Sequence, residues 1–111
     1  MKIITKAIEQ AFEKQGDTSQ KSMEEIGIIM KLFNPCGAGT WYIYEKLDDD
    51  VYMCFANLGD PTFAEIGTVS MSELMSLRLP FGLTIERDMH LDPFEYTLKE
   101  VYDKVKSGGH V

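Results

Sequence analysis

The sequence predicts an α+β domain with a largely antiparallel sheet of four to five strands, helices at the N- and C-terminal ends, and one short helix after the fourth strand. Near both ends, apolar residues recur at three- and four-residue spacing, which is the spacing of one helix face. Between them lie short β-branched and aromatic runs separated by turn residues. Their connections are too short for parallel neighbours, which need crossovers of about a dozen residues or more.

The first predicted element is a helix over about 4–15. Its apolar stripe is formed by Ile4, Ala7, Ile8, Ala11 and Phe12, and Gly16-Asp17 ends it. The polar residues 16–24 are typical of a loop. The run IGIIMKLF (26–33) is too short for a typical helix and rich in isoleucine, so it predicts a buried strand that starts near Glu25.

Three further strands follow, each bounded by turn residues. NPCGAG (34–39) has the asparagine, proline and glycines of a turn, and TWYIYEK (40–46) is the next strand. Residues 47–50 turn the chain again before VYMCFANL (51–58). Gly59-Asp60-Pro61 ends that strand, and FAEIGTV (63–69) is predicted as the fourth.

Two capping patterns predict the remaining helices. Ser70 with Glu73 matches a capping box at the start of a short helix over about 71–78. LTIERDMHL (83–91) is predicted to be extended. Asp92-Pro93-Phe94-Glu95 then predicts a second helix start, with Asp92 as the cap and Pro93 at the first helical position. The last helix has an apolar stripe and ends at Ser107-Gly108-Gly109.

Size and composition indicate one globular domain over residues 1–111, in which residues 107–111 are expected to be a frayed tail. The chain has 111 residues, of which 44% are hydrophobic and 26% charged, close to globular averages. No run reaches the roughly 18 apolar residues of a membrane span. Two cysteines, Cys36 and Cys54, are too few for a secreted disulfide scaffold. We therefore expect a cytoplasmic protein with reduced thiols.

The charge balance is acidic and argues against direct nucleic-acid binding. Asp and Glu number 18 against 11 Lys and Arg, giving a net charge of −7. Such a chain lacks the positive surface that binds phosphate backbones. Two interpretations of the acidity stay open, namely ordinary solubility and attraction to a basic partner surface.

Arg87 is the most unusual residue in the predicted strand 85–92. Alternation would place it with Ile85, Met89 and Leu91, while Glu86, Asp88 and His90 face solvent. A buried guanidinium needs a carboxylate. We expect a structural ion-pair cluster of Arg87 with Glu73, Glu65 or Glu45, joined by Arg78. The alternative is that Arg87 faces a phosphate or carboxylate ligand.

Three tyrosines on adjacent predicted strands form a second candidate site. If helices cover one face of the sheet, the other face would expose aromatic side chains as a partner surface. The candidates are Tyr42, Tyr44 and Tyr52. Ordinary packing of the sheet is the alternative interpretation.

We expect no metal and no cofactor. Side chains two residues apart on a strand are about 6.5–7 Å apart, too far for Glu86, Asp88 and His90 to bind one ion. Residues 34–39 lack the pattern of a phosphate loop, and Asp48-Asp49-Asp50 lacks the ligand spacing of a calcium loop.

Several motifs follow one another along the middle of the chain: Trp41-Tyr42 with Glu45, Glu65-Ile66-Gly67, Ser70-Met71-Ser72-Glu73-Leu74, and Gly82-Leu83-Thr84-Ile85-Glu86-Arg87-Asp88. Their order resembles an uncharacterised bacterial family, domain of unknown function 2958, over about residues 31–92. Members of that family are of similar length and are often encoded on plasmids, phages and other mobile elements. The resemblance implies a mobile-element accessory setting and no catalytic residue.

These observations favour a non-enzymatic protein-binding module, an accessory protein of a mobile element that acts through an unknown protein partner and without a membrane. One alternative is an acidic anti-restriction or inhibitor protein that targets a DNA-binding enzyme. The other is a small enzyme that uses Arg87, His90 and nearby carboxylates on an anionic substrate, which requires a concave pocket that contains Arg87 and at least two titratable groups. The sequence leaves the oligomeric state open.

Overall fold

The computed structural model describes residues 3–111 and confirms the α+β prediction. Three helices and five strands follow one another along the chain: α1 (Lys6–Gln15), β1 (Met30–Phe33), β2 (Thr40–Lys46), β3 (Val51–Asn57), β4 (Glu65–Ser70), α2 (Met71–Ser76), β5 (Glu86–Arg87) and α3 (Leu98–Lys106). Short 3-10 turns lie at Pro61–Phe63 and Pro80–Gly82. All strand pairs are antiparallel, in the order β4-β3-β2-β1-β5.

Helices cover both faces of the sheet. One cluster of buried side chains joins α1 and α2 to the sheet face that carries Leu32, Ile43, Tyr52 and Cys54. A second cluster joins α3 to the opposite face, which carries Tyr42, Tyr44 and Phe55. We call these the first and the second cluster. Because α3 returns across the face that α1 leaves bare, the domain has three layers, with the sheet in the middle.

The first strand starts later than predicted. Residues 26–29 are buried but lie outside β1, which begins at Met30. Their backbone groups pair with separate segments: Ile28 N–H donates to Tyr96 O, and Ile29 N–H donates to Ile43 O. Gly27 forms an isolated bridge with Thr97. This segment therefore bonds to the start of α3 as well as to β2, which a run of isoleucines does not reveal.

The start of the last helix was also predicted wrongly. Thr97 is the cap of α3, and its side chain forms a reciprocal capping box with Glu100. Asp92 and Glu95 instead close an isolated turn, in which Glu95 N–H donates to Asp92 O at 3.1 Å. Phe94, with a φ of +66°, stops that turn from continuing as a helix.

Only part of the predicted extended segment 83–91 is a strand. β5 has two residues, Glu86 and Arg87, which pair with Phe33 and Leu32. The Asp88 side chain then accepts a hydrogen bond from His90 N–H at 2.8 Å. This local side-chain bond turns the chain and ends the strand.

Two polar side chains anchor loops to the helices. Gln15, at the end of α1, is buried; its amide donates to Gly27 O and Tyr44 O and accepts from Gly27 N–H. Asp50, in the turn before β3, accepts from the Ser70 hydroxyl and from Ser72 N–H at the start of α2. These hydrogen bonds lower the pKa of Asp50.

The predicted frayed tail is in contact with the domain at its last residue. Val111 packs against the second cluster, and its carbonyl accepts a hydrogen bond from Lys31 Nζ at 2.6 Å. Ser107 ends α3 as predicted. Within residues 3–111, none of the helices has the length and apolar composition of a membrane span.

Candidate functional site

The three tyrosines predicted to form a partner surface are buried. Tyr42 and Tyr44 are each 3% exposed and Tyr52 is 2% exposed. Tyr42 and Tyr44 lie under α3, and Tyr52 packs against Phe12 of α1 with 5.3 Å between the ring centroids. Burial raises the pKa of Tyr44 to about 12. The predicted aromatic patch is wrong because both faces of the sheet are covered.

The structure does not assemble the predicted ion-pair cluster around Arg87. Within residues 3–111, no salt bridge involves either arginine. Glu45 accepts hydrogen bonds from the backbone and hydroxyl of Thr18. Glu65 and Glu73 are exposed side chains on β4 and α2. Arg78 donates to the carbonyl of Ser76 at 3.2 Å.

Arg87 instead lies half-buried at the edge of the sheet. Its Nη2 donates to Met89 Sδ at 3.2 Å, and its Nε is buried with no hydrogen-bond partner among the described residues. Met89 is 60% exposed, so the predicted alternation of buried side chains fails after Arg87. The strand is too short to impose it, because regular pairing ends at that residue.

A cavity of about 360 Å³ at this edge is lined by Lys31, Phe33, Glu86, Arg87, Asp88, Met89 and His90. It contains Arg87 and more than two titratable side chains, which is the pocket that the small-enzyme alternative requires. Arg87 pairs with Leu32, which belongs to the first cluster, so its side chain lies on that face of the sheet. Lys31 pairs with Tyr42 on the other face and forms a 3.6 Å salt bridge with Asp88. Arg87 and Lys31 therefore leave the sheet on opposite faces, and no salt bridge among the described residues joins Arg87 to a carboxylate.

The two cysteines differ in environment. Cys54 is buried in the sheet, and burial raises the pKa of its thiol to about 11. Cys36 is exposed, and its Sγ lies 3.6 Å from Pro80 O. No group of three or more His, Cys, Asp or Glu side chains within residues 3–111 is arranged to hold a metal ion.

The most exposed large apolar side chain of those described is Phe81, at 96%. It lies in the loop of residues 79–83, which we call the Phe81 loop. Leu83 N–H donates to Pro80 O at 3.3 Å, and Leu79 N–H donates to Leu83 O at 2.9 Å. These hydrogen bonds close a tight turn.

Phe81 also has a strained backbone. Its φ is +63° and that of Gly82 is +73°, so both central residues of the turn are in the left-handed region. This is the pattern of a type I′ turn, for which Asn-Gly is the favoured pair. A phenylalanine at the first central position is unusual, because a side chain with a Cβ costs free energy there.

Two leucines close to Phe81 in the sequence are also partly exposed. Leu77 is 44% exposed and Leu83 is 39% exposed, on either side of the turn. We call Leu77, Phe81 and Leu83 the Phe81 surface. The sequence analysis did not identify it and left residues 79–82 between the predicted helix 71–78 and the predicted extended segment 83–91. The available signal was an aromatic residue between Pro80 and Gly82, where turns normally carry polar side chains.

Phe94 shows that a positive φ at phenylalanine has a packing explanation elsewhere in this chain. Its φ is +66°, and its ring lies so close to Gly27 that a Cβ there would be 2.4 Å from Phe94 Cδ1. Lys14 Nζ lies 5.1 Å from the centroid of the same ring. Packing against Gly27 offsets the strain at Phe94, whereas Phe81 has almost no packing to offset its own.

Comparison with known proteins places the chain in a family without assigning an activity. No curated protein and no solved structure matches it. One family model, described as protein of unknown function (DUF2958), matches residues 3–111. That range is essentially the whole chain, so the protein belongs to the DUF2958 family.

Proposed function

We propose that this protein is a non-enzymatic protein-binding module, an accessory protein of a mobile element, and that the Phe81 surface is its contact site. The observation that carries the proposal is the 96% exposure of Phe81 at a φ of +63°. The mobile-element setting comes from the family resemblance. It is tested by asking whether genes for members of the family lie beside plasmid or phage genes.

The folded chain gains little from Phe81. An L-residue in the left-handed region costs about 1–2 kcal/mol, and an exposed phenylalanine forgoes the roughly 1.5–3 kcal/mol that burial would supply. Strained backbone clusters at functional sites, and contiguous exposed apolar patches mark interaction sites. A partner that covers the ring would recover the burial energy. The cost in the free protein is then explained by binding.

The exposed ring and the net charge of the whole chain indicate the kind of partner. A single protruding ring fits a concave apolar pocket, as aromatic hot-spot residues do in protein interfaces. The net charge of −7 favours association with a basic protein. We therefore expect a basic partner with an apolar pocket for Phe81.

The experiment compares three tagged versions of the full chain in extracts of the host. Phe81→Asn removes the ring and keeps the turn, because Asn-Gly is favoured in type I′ turns. Leu58→Asn is the matched control, since Leu58 is 68% exposed and lies outside the Phe81 surface. Captured proteins are identified by mass spectrometry, purified and titrated against each version by calorimetry.

We expect one partner that binds the wild type and Leu58→Asn equally. It should bind Phe81→Asn at least about 10-fold more weakly, because removal of a hot-spot ring typically weakens binding by that much. Equal binding of all three versions would show that Phe81 is not the contact. A partner that binds through neither residue, or no partner at all, would refute the binding module in this form.

A further inference from the structure

The edge of the sheet formed by β4 carries a second surface. We infer that the outer edge of β4 accepts an extended segment of another protein as an added strand, with its side chains in the groove beside α3. Among residues 3–111, no strand pairs with that edge, because β4 is the first strand in the order of the sheet. The inference does not depend on the function of Phe81.

The hydrogen-bond register shows which backbone groups of β4 are available. Met71 N–H donates to Asp50 O at 2.8 Å, in line with the continuous pairing of β3 with β4. Hydrogen-bonded pairs in an antiparallel ladder alternate, so residues 69, 67 and 65 also direct their backbone groups at β3. Ile66 and Thr68 therefore direct their N–H and C=O groups outward.

The β4 edge lacks most of the features by which proteins block an exposed edge, and Glu65 is its one charged residue. Its six residues, EIGTVS, include no proline and no lysine, and the pairing with β3 shows no bulge. The opposite edge of the sheet is blunted by comparison, since β5 has only two residues. A regular, unblocked strand edge selects a partner in extended conformation.

A groove with both polar and apolar side chains in its lining lies beside this edge, on the face covered by α3. It has a volume of about 520 Å³ and is lined by Thr62, Phe63, Ala64, Glu65, Ile66, Tyr102 and Lys106. Phe63 is 78% exposed and Ile66 is 41% exposed. Lys106 Nζ lies 5.6 Å from the centroid of the Tyr102 ring. Alternate side chains of an added strand would point into this groove and cover both exposed apolar residues.

The occupant that fits is a basic segment of a different protein, with apolar side chains at alternate positions. A second copy of this chain fits less well, because each copy carries a net charge of −7 and the two would repel each other. The only charged residue in β4 is Glu65. Lysine or arginine on the solvent face of the added strand would be attracted to it and to the acidic domain.

The test uses a defined peptide as the probe. It is an extended peptide of about eight alternating valine and lysine residues, with both ends blocked. The control peptide has the same composition, but every second backbone nitrogen is methylated and cannot donate. Binding to the isotope-labelled full chain is followed by the amide signals and the hydrogen exchange of Ile66 and Thr68. We expect slower exchange at these two amides with the first peptide only.

Two variants of the protein separate edge pairing from general attraction. Thr68→Pro removes an outward donor without removing a bond to β3, whereas Thr68→Val keeps the donor. We expect Thr68→Pro to weaken peptide binding about 10-fold and Thr68→Val to leave it within about twofold. Circular dichroism verifies that both variants fold. If Thr68→Pro does not fold, the pair of peptides still decides the question.

Other outcomes overturn the inference. Equal binding of the methylated peptide would show that charge alone attracts the probe. No change in the exchange of Ile66 and Thr68 at saturating peptide would show that the edge is not used. Sedimentation could instead show a dimer of this chain at micromolar concentration that Thr68→Pro dissociates. That result would show that a second copy of the chain, and not a segment of a different protein, occupies the edge.

Discussion

Phe81→Asn should stabilise the isolated protein, although it removes an aromatic side chain. At 96% exposure, only about 8 Å² of a side chain of roughly 200 Å² is buried, which at about 25 cal/mol per Å² is worth about 0.2 kcal/mol. The left-handed backbone costs an ordinary residue about 1–2 kcal/mol, and asparagine tolerates that region better than most. The expected gain is therefore about 1 kcal/mol, or about 4 °C in Tm for a domain of this size.

Urea denaturation followed by circular dichroism measures this gain as a higher midpoint at an unchanged slope. Gly82→Ala is the matched control. An added Cβ at Gly82 meets nothing within 4 Å, while its φ of +73° makes the substitution strained. It should cost about 1 kcal/mol through backbone strain alone. A loss of stability in Phe81→Asn, together with the expected loss in Gly82→Ala, would show that the Phe81 ring stabilises the fold and would remove the argument for a contact site.

Four further predictions concern the core. Gly27→Ala should lower the free energy of unfolding by about 1–3 kcal/mol, because its Cβ would lie 2.4 Å from Phe94 Cδ1. In a chain that already carries Phe94→Ala, the same substitution should cost less, because the clashing ring is absent. Urea denaturation of the single and double variants tests this. Gln15→Leu should cost about 3 kcal/mol in the same assay, because it leaves the buried backbone groups of Gly27 and Tyr44 without partners. A thiol reagent such as Ellman's should label Cys36 in the native protein at once and Cys54 only after unfolding, so that two equally fast thiols would contradict the described core. Burial raises the pKa of Tyr44 from 10.0 to about 12. The stability that the neutral Tyr44 side chain contributes is therefore fully present below pH 10 and is lost as the pH rises to 12. In denaturation measured over that interval, the Tyr44→Phe variant should lose less stability than the wild type.

Local sequence chemistry predicted most of the elements. β2 was predicted over residues 40–46 and is found at Thr40–Lys46. The Ser70 cap starts α2 as expected, with Glu73 N–H donating to the serine hydroxyl at 3.3 Å. These features depend on residues close together in the chain, where turn and cap preferences decide the structure. Element type and order follow from the same local information.

The errors in the fold come from choices that local chemistry leaves open. Two capping patterns precede the last helix, Asp92 with Glu95 and Thr97 with Glu100, and only the second starts α3. The choice depends on Phe94, which fits its left-handed conformation only because the distant Gly27 leaves room for its ring. A contact between residues so far apart in sequence leaves no local periodicity to find.

The site predictions failed for a related reason. The ion-pair cluster assumed that Arg87 points into an apolar interior, but β5 ends there and leaves it half-buried at the sheet edge. The tyrosine surface assumed one bare face of the sheet, and α3 covers it. Both assumptions concern which long-range partner an element finds. Alternation along a strand fixes the two faces of its side chains and says nothing about what covers either face.

The same reasoning explains why exposure identifies the Phe81 surface better than residue type does. The chain has six phenylalanines, and two of them have a positive φ. Phe94 has packing against Gly27 to offset its strain, and Phe81 has a closed turn that holds its ring in solvent. Identical side chains with similar backbone angles therefore have opposite consequences for the folded state. A substitution that relieves the strain at Phe81 should make the free protein more stable and its complex weaker, and no residue that serves only the fold would combine those two effects.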